Sequence, residues 1–296
     1  MKIWRKWHYS VLALVLLLSF LTIGCSAPSA NQERATQDVS QPPLKIQVID
    51  VGQGDAILIR TKQEVILVDS GDTSTRGKLV KYIQSQGIKT IDKVIITHPH
   101  ADHLGGMPGV LNNFTVKQIY DSGLTTTTSL YRQYLTTVEK KDIPFTVVVP
   151  GNQIDIGDGI KLKVLAPEKP FITNSELNNN SIVVKLVYGS FSMLLTGDAE
   201  RESEKRLLKA YGDELKSTIL KAPHHGSSTS SISSFLKRVA PEAIIISVGQ
   251  NNDYHHPHPS VMKRYNDLKT KLYRTDTDGT VTITSDGQTY NIVKEK

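Results

Sequence analysis

Residues 97–106 read THPHADHLGG, which places His98, His100, Asp102 and His103 within six positions. An apolar, β-branched run at 93–97 leads into them and a double glycine follows. The chain of 296 residues has nine histidines. Eight fall in three tight groups, 98/100/103, 224/225 and 255/256/258, and the ninth is His8. Each group stands where an apolar run gives out beside Pro or Gly: VIITHPHADH, TILKAPHHGS and IIISVGQNNDYHHPHP. Side chains at the strand ends of layered α/β proteins meet in a shared crevice, so the three groups predict one site drawn from distant parts of the chain. Imidazole nitrogen and carboxylate oxygen are ligands for divalent cations. His98 and His100, two apart, share one side of an extended segment. Asp102 and His103 face elsewhere, a division that suits two metals rather than one. A solvated histidine-rich loop would need three independent coincidences.

Two aspartates extend the pattern. Asp198 in LLTGDAE ends another apolar run, where its carboxylate can bridge two cations; taken alone it reads as the N-cap of the helix that follows. Asp69 in VILVDSG also ends a strand and is expected to orient a ligand rather than to bind metal. Cys25 is the one cysteine. The chain beyond it therefore has no disulfide, no thiolate nucleophile and no sulfur ligand, and any metal is held by nitrogen and oxygen.

Short apolar runs predict strands at 45–50, 56–61, 64–70, 93–97, 145–150, 160–166, 181–188, 191–197, 217–222 and 243–248, with a final group in 271–293. Amphipathic stretches predict helices at 76–86, 104–112, 129–140, 200–211, 231–239 and 259–269. The first strands follow one another as hairpins, with Gly52 and Gly54 in one turn and Lys62–Gln63 in another; later strands alternate with helices. Mixed sheets fit this order better than a doubly wound parallel sheet. DVGQGDA (50–56) leads into a strand rather than a helix, so it reads as a hairpin turn and not a phosphate cradle.

At the N-terminus, Lys2, Arg5 and Lys6 precede the apolar run 11–24, which is short for a membrane span and has the layout of an export signal. Its TIGC ending resembles the lipobox of bacterial lipoproteins, with Thr22 where that pattern prefers Leu. The resemblance implies a signal peptide over 1–24, lipidation of Cys25, and an extracytoplasmic protein anchored to the bacterial cell membrane. An uncleaved N-terminal anchor is the alternative, and it too places the domain outside the cytoplasm. Residues 25–43 are polar and proline-containing and read as a flexible tether. Residues 44–296 suffice for one large α/β domain. The formal net charge of +6 is halved when Lys2, Arg5 and Lys6 leave with the signal. On charge alone this gives no case for nucleic-acid binding.

THPHADH is similar to the H-x-H-x-D-H signature of the metallo-β-lactamase fold. Together, DVGQGDAILI, VDSG, NNNS, LLTGDAE, APHHGS and HPHP resemble, in this order, the hydrolase domain of the competence protein ComEC and its free-standing relatives. The resemblance covers nearly all of 44–296 and implies an α/β protein, a four-layer αββα metallo-β-lactamase sandwich with mixed β-sheets. It implies two divalent metal ions, Zn²⁺ or Mn²⁺. His98 and His100 would hold one, Asp102 and His103 the other, with Asp198 bridging them and His225 completing the second site. Many members use a further histidine for the first metal, before the bridging Asp. This chain has none between 103 and 224. Asn180 in NNNS is the nearest occupant, as an amide-oxygen ligand or beside a water, and an oxygen-richer site tilts toward Mn²⁺.

The implied activity is metal-dependent hydrolysis by a hydroxide formed between the metals, on a phosphodiester and most simply on DNA. Catalytic candidates are Asp102, which is also a ligand, and His224, His256 and His258, which would bind phosphate or protonate the leaving group. Pro257 and Pro259 make a rigid turn that one of the three histidines could cap instead. Other readings are an esterase acting on wall-polymer phosphocholine, a lactam, lactone or thioester hydrolase of the same fold, and a metal-binding or DNA-capturing lipoprotein without activity. The partners expected are DNA or another phosphodiester, and the membrane through Cys25; the chain is expected to be a monomer.

Overall fold

Several strand segments are apolar at almost every position, among them ILIR (57–60), VILV (65–68), FSMLL (191–195) and AIII (243–246). A strand with one wet face alternates, whereas an unbroken apolar strand must bury both faces. Alternate residues of these strands indeed enter different cores. The computed structural model describes residues 43–296; the segment 1–24, Cys25 and all of the tether before residue 43 lie outside the described residues.

In chain order the first half holds β1 (Leu44–Val48), β2 (Ile57–Arg60), β3 (Val65–Val68), β4 (Thr90–Ile91), β5 (Lys93–Ile96), β6 (Thr115–Val116), β7 (Ile119–Asp121) and β8 (Phe145–Val147). The second half holds β9 (Gln153–Asp155), β10 (Lys161–Ala166), β11 (Val183–Tyr188), β12 (Phe191–Leu195), β13 (Ile219–Lys221), β14 (Ala243–Ile246), β15 (Lys271–Arg274), β16 (Val281–Ser285) and β17 (Tyr290–Lys294). The helices are α1 (Arg76–Ser85), α2 (Ala101–Leu104), α3 (Met107–Asn113), α4 (Ser129–Lys140) and α5 (Glu176–Asn179). They continue with α6 (Arg201–Tyr211), α7 (Ser233–Val239), α8 (Pro259–Asp267) and α9 (Thr275–Asp278).

An eight-stranded sheet runs β17-β16-β1-β2-β3-β5-β7-β8, and a seven-stranded sheet runs β15-β14-β13-β12-β11-β10-β9. Each is antiparallel through its hairpins and turns parallel where helical crossovers begin, at β3/β5 in the first sheet and β12/β13 in the second. Ile57, Ile59, Ile66 and Val68 of the first sheet meet Val184, Leu186, Met193 and Leu195 of the second in a central core. Leu58, Leu67 and Val94 point the other way, against Leu79 of α1, Val110 of α3 and Tyr134 of α4. Leu194, Leu220 and Ile244 do the same against Leu207 of α6, Phe235 of α7 and Val261 of α8. Three apolar interfaces between helices, sheet, sheet and helices make four layers, αββα, with mixed sheets.

Most expected elements are present, with two instructive differences. The helix expected at 104–112 is broken into α2 and α3 at Gly105–Gly106. Both glycines keep helical backbone angles, but Gly106 N–H donates to the Gly71 carbonyl at 3.2 Å instead of along the helix, and a Cβ on Gly106 would lie 2.0 Å from the Ser70 carbonyl oxygen, so the chain there is pressed against a neighbouring segment. The strand expected over 145–150 is shortened to the edge strand β8, and β4, β6, β7 and β9, two or three residues each, are too short to leave a periodic signal. The antiparallel pairing of β1 with β2 makes DVGQGDA a hairpin connection, as expected.

Helix α6 is tied to α7 by a buried carboxylate. Glu204 accepts hydrogen bonds from the backbone N–H groups of Ser231 and Ile232, at 2.5 and 2.8 Å, just before α7 begins. Burial pushes its pKa up to about 7, against the opposing pull of those two donors. An unfolded glutamate ionises near pH ~4.3. Between these values the native protein keeps a proton that the unfolded chain has released, so this contribution to stability is present in acid and declines as pH rises, by at most ~1.4 kcal/mol per pH unit. Glu204→Gln cannot titrate. The gap in Tm between the native protein and this variant should narrow from pH 5 to pH 7, as followed by circular dichroism; a constant or widening gap means that Glu204 is ionised throughout.

Candidate metal centre

Four strand ends deliver the histidines and carboxylates to one edge of the sandwich. Asp69 follows β3, His98 follows β5, Asp198 follows β12, and His224–His225 follow β13. These are the two strand pairs at which each sheet turns parallel, the kind of switch point where crevices open in α/β sheets. His100 is the N-cap of α2, and Asp102 and His103 lie within that single turn.

One turn of helix does not persist alone, and α2 is clamped from both sides. Asp55 N–H donates to the Asp102 carbonyl at 3.1 Å, and Ser70 N–H donates to the His103 carbonyl at 2.7 Å. The first contact requires Gly54, with φ +119°, because a Cβ there would stand 2.2 Å from the Asp102 carbonyl oxygen. DVGQGD is thus part of the scaffold of the site, a role the sequence reading missed.

Among the described residues, two groups of potential ligands share Asp198. They are Asp102, His103, Asp198 and His225, and His98, His100 and Asp198; the donor atoms of each group lie within 4.8 Å of one another. His103 Nε2 and His225 Nε2 stand 3.2 and 3.4 Å from Asp198 Oδ1. All three atoms are buried without a hydrogen-bond partner. On the other side, His98 Nε2 is 2.9 Å from His100 Nδ1 and 3.8 Å from Asp198 Oδ2. Buried lone pairs aimed at one another are costly unless a cation lies between them, so the residues fit divalent metal ions.

The remaining ring nitrogens fix this presentation. His225 Nδ1–H donates to the Ser247 carbonyl at 3.0 Å, which leaves Nε2 for a cation. Asp69 performs the same service for two histidines. Its Oδ2 accepts from His103 Nδ1–H at 2.8 Å and from the Thr97 hydroxyl at 2.7 Å, and its Oδ1 accepts from Thr97 N–H at 2.8 Å. With its one proton given to Asp69, Thr97 Oγ1 can only accept from His98 Nδ1–H, at 3.1 Å. Asp69 therefore orients ligands of both groups.

The electrostatics follow the same arrangement. Burial opposes charging of His103, but Asp198, Asp102 and Asp69 outweigh it and hold its pKa well above the ordinary value. Burial, then the neighbouring His103 charge, push His98 well below. Asp198 stays far below the usual carboxylate range because His103, His225 and His224 outweigh the cost of its burial. Behind His225, the fully buried Lys221 pairs with Asp55 at 2.8 Å, and Asp55 Oδ1 is 3.5 Å from His225 Nδ1. Neither residue was foreseen, although a lysine inside the apolar run TILKA was a signal.

The site opens into a pocket of about 410 Å³ lined by Asp102, Asp198, His224, His256, Asn178 and Tyr254, among others. His224 and His225 both adopt left-handed backbone angles, φ 49° and 54°; His225 is buried among the ligands while His224 stands in the pocket wall. His224 Nδ1 lies 3.3 Å from Glu200 Oε1, and its Nε2 lies 3.6 Å from Asp198 Oδ2. Burial first, then the charges of His225 and His224, lower the His256 pKa to about 4. Two expectations need correction. His258 is not among the pocket-lining residues: its Nδ1 accepts from Ser260 N–H at 3.3 Å and caps α8. Asn180 does not offer its amide to metal: its Oδ1 accepts from Ile172 N–H at 2.9 Å, and its Nδ2 donates to the Ile172 and Glu176 carbonyls. The asparagine in the pocket is Asn178, two residues earlier, whose Nδ2 donates to Glu200 Oε1 at 3.1 Å.

Layers, switch-point site and ligand set define a metal-dependent hydrolase. The chain belongs to the metallo-beta-lactamase superfamily, whose family model matches residues 49–250. Its relatives place it in the ComEC-like branch. It is 29% identical over 255 residues to ComE operon protein 3 of Bacillus subtilis (80% of this chain, 32% of that protein). It is 29% identical over 268 residues to competence protein ComA of Neisseria gonorrhoeae (90% and 34%). The chain thus spans about a third of the length of these curated relatives. Among solved structures, the metallo-beta-lactamase fold protein YhfI from Bacillus subtilis superposes with a TM-score of 0.56 at 13% identity, over 81% of this chain and 99% of that one.

Two outcomes follow for metal binding. Chelation lowers Tm and readmission of metal restores it, by about 2.7 kcal/mol of stability at a hundredfold excess over Kd; Asp198→Ala removes this response. Equal melting with and without chelator would dispose of the metal assignment. Asp69→Asn, which keeps the shape but not the charge, weakens metal binding about 10- to 100-fold in competition with a chromogenic chelator.

Proposed function

We propose that the chain is an extracytoplasmic phosphodiesterase, lipid-anchored at Cys25, that acts on DNA. The observation that carries the reading is the shared Asp198 on the floor of an open pocket, with His224 in the wall 3.6 Å from its Oδ2. Two cation positions joined by one carboxylate, with an imidazole alongside, suit a tetrahedral centre that bears negative oxygens and a leaving group needing a proton. Likeness to a protein named for competence supports nucleic acid as the substrate.

Divalent cations bound there supply Lewis acidity and lower the pKa of water. The chain's own residues do the rest. Asp102, His103, His225, His98, His100 and Asp198 would hold the cations, and Asp69 and the Ser247 carbonyl fix the ring orientations of His103 and His225. His224 presents Nε2 to the pocket, 3.4 Å from Asn178 Nδ2, while Glu200 and Thr229 Oγ1, 3.3 and 3.2 Å from Nδ1, hold the ring. That places His224 to hydrogen-bond a phosphoryl oxygen and to protonate the departing one. With His256 at about 4, its ring is neutral near pH 7 and contributes shape and hydrogen bonding rather than charge. With its amide bonded to backbone, Asn180 does not tilt the site toward Mn²⁺, and nitrogen and carboxylate ligands suit Zn²⁺ as well.

The test uses the purified full chain stripped of metal, then supplied with Mn²⁺ or Zn²⁺. Substrates are single- and double-stranded DNA, bis-p-nitrophenyl phosphate, p-nitrophenylphosphorylcholine and a chromogenic lactam. DNA and the bis-aryl diester are cleaved, the lactam is not, and His224→Ala lowers kcat about 10²-fold or more. Absence of cleavage of every phosphodiester with both metals rejects the proposal, and activity that survives Asp102→Ala with His103→Ala rejects the two-cation mechanism.

A further inference from the structure

We propose that Tyr254 is a stacking platform for a nucleobase at the mouth of the metal pocket, so that the substrate beside the scissile phosphate is an unpaired nucleotide. This rests on the phosphodiesterase reading above. Tyr254 is 65% exposed, the most exposed of the large hydrophobic side chains among the described residues, and it lines the same pocket as Asp198 and His224. A tyrosine joins a flat apolar ring to a polar tip, which is why the residue is enriched at recognition surfaces.

The ring is held ready rather than loose. Its loop is fastened by Asn252, whose Nδ2 donates to the Gly249 and His256 carbonyls at 2.9 and 2.7 Å and whose Oδ1 accepts from His256 N–H at 3.0 Å. Gln53, from the connection that also clamps α2, accepts from Gly249 N–H at 3.1 Å. The Tyr254 ring stacks on His256 with centroids 5.6 Å apart and planes 25° apart. His256 in turn meets His224 edge-on at 5.7 Å. Three rings thus run from the mouth to the histidine beside Asp198.

With one face against His256, Tyr254 offers a single flat face to an incoming group. A planar base stacks on one face, and base–aromatic stacking tolerates any sequence. A quaternary ammonium is instead recognised by several Trp, Tyr or Phe rings around it, and Tyr254 is the one such ring among the pocket-lining residues. In a duplex the base faces are covered by their neighbours, so only a single strand, an end or an extruded nucleotide can use the platform.

The experiment compares thymidine 5′-p-nitrophenyl phosphate with methyl p-nitrophenyl phosphate, which share a leaving group and differ in the base, and adds p-nitrophenylphosphorylcholine. The native chain prefers the thymidine ester. In Tyr254→Ala the ratio of kcat/KM for the thymidine over the methyl ester falls about tenfold, mainly through KM, while Tyr254→Trp and Tyr254→Phe retain it. An unchanged ratio in Tyr254→Ala, or a loss confined to the choline ester, overturns the platform and leaves the phosphodiesterase reading standing. Cleavage of no diester overturns that reading instead, and binding then decides the platform. By fluorescence anisotropy in EDTA, a labelled oligothymidylate should bind the native chain more tightly than an abasic oligomer of equal length, and Tyr254→Ala should erase the difference; equal affinities in the native chain refute it.

Discussion

The site depends on one buried carboxylate. Asp198 is 2% exposed and has ring nitrogens of His98, His103, His224 and His225 within 3.8 Å. An ionised carboxylate out of water is expensive unless positive charge and hydrogen-bond donors surround it. Around it three of the ligand rings are each held by a second contact on the far side: His103 by Asp69, His98 by Thr97, His225 by Ser247. Those contacts decide which nitrogen faces Asp198, and so decide what the cluster can bind.

Bringing these groups together is the work of topology. The first sheet contributes Asp69 and His98 from β3 and β5, and the second contributes Asp198 and His225 from β12 and β13. Parallel neighbours end at the same edge, so two such pairs in facing sheets aim four strand ends at one point. The central core of Ile57, Ile66, Val184 and Met193 sets the spacing of the sheets and therefore of the two halves of the site. Buried Lys221 and Asp55 couple the β1–β2 connection to β13 directly behind His225.

Much of this was legible in the chain. Unbroken apolar runs mark strands buried on both faces, and polar residues at their ends mark a crevice, because a long run of Val, Ile and Leu tolerates His or Asp only where it stops. The pattern failed where side-chain direction is set locally. Asn178 and Asn180 are chemically alike, and only the short helix α5 shows which one turns to the pocket and which bonds to Ile172. His256 and His258 straddle one proline, yet the first faces the pocket and the second caps α8. Gly54 looked like an ordinary turn residue, and its close approach to the Asp102 carbonyl exists only once two remote segments meet.

By itself the sequence determined the layered α/β class, the strands, the nitrogen and oxygen character of the metal site, and most of the residues that gather there, because hydrophobic periodicity and ligand chemistry are properties of short stretches. Tertiary structure alone decided that Glu200 and Asn178 stand beside His224, and that Tyr254 lines the same pocket as Asp198. Those facts are distances between residues tens of positions apart. They are fixed by how the sheets pack and where parallel strands end, which no local pattern encodes.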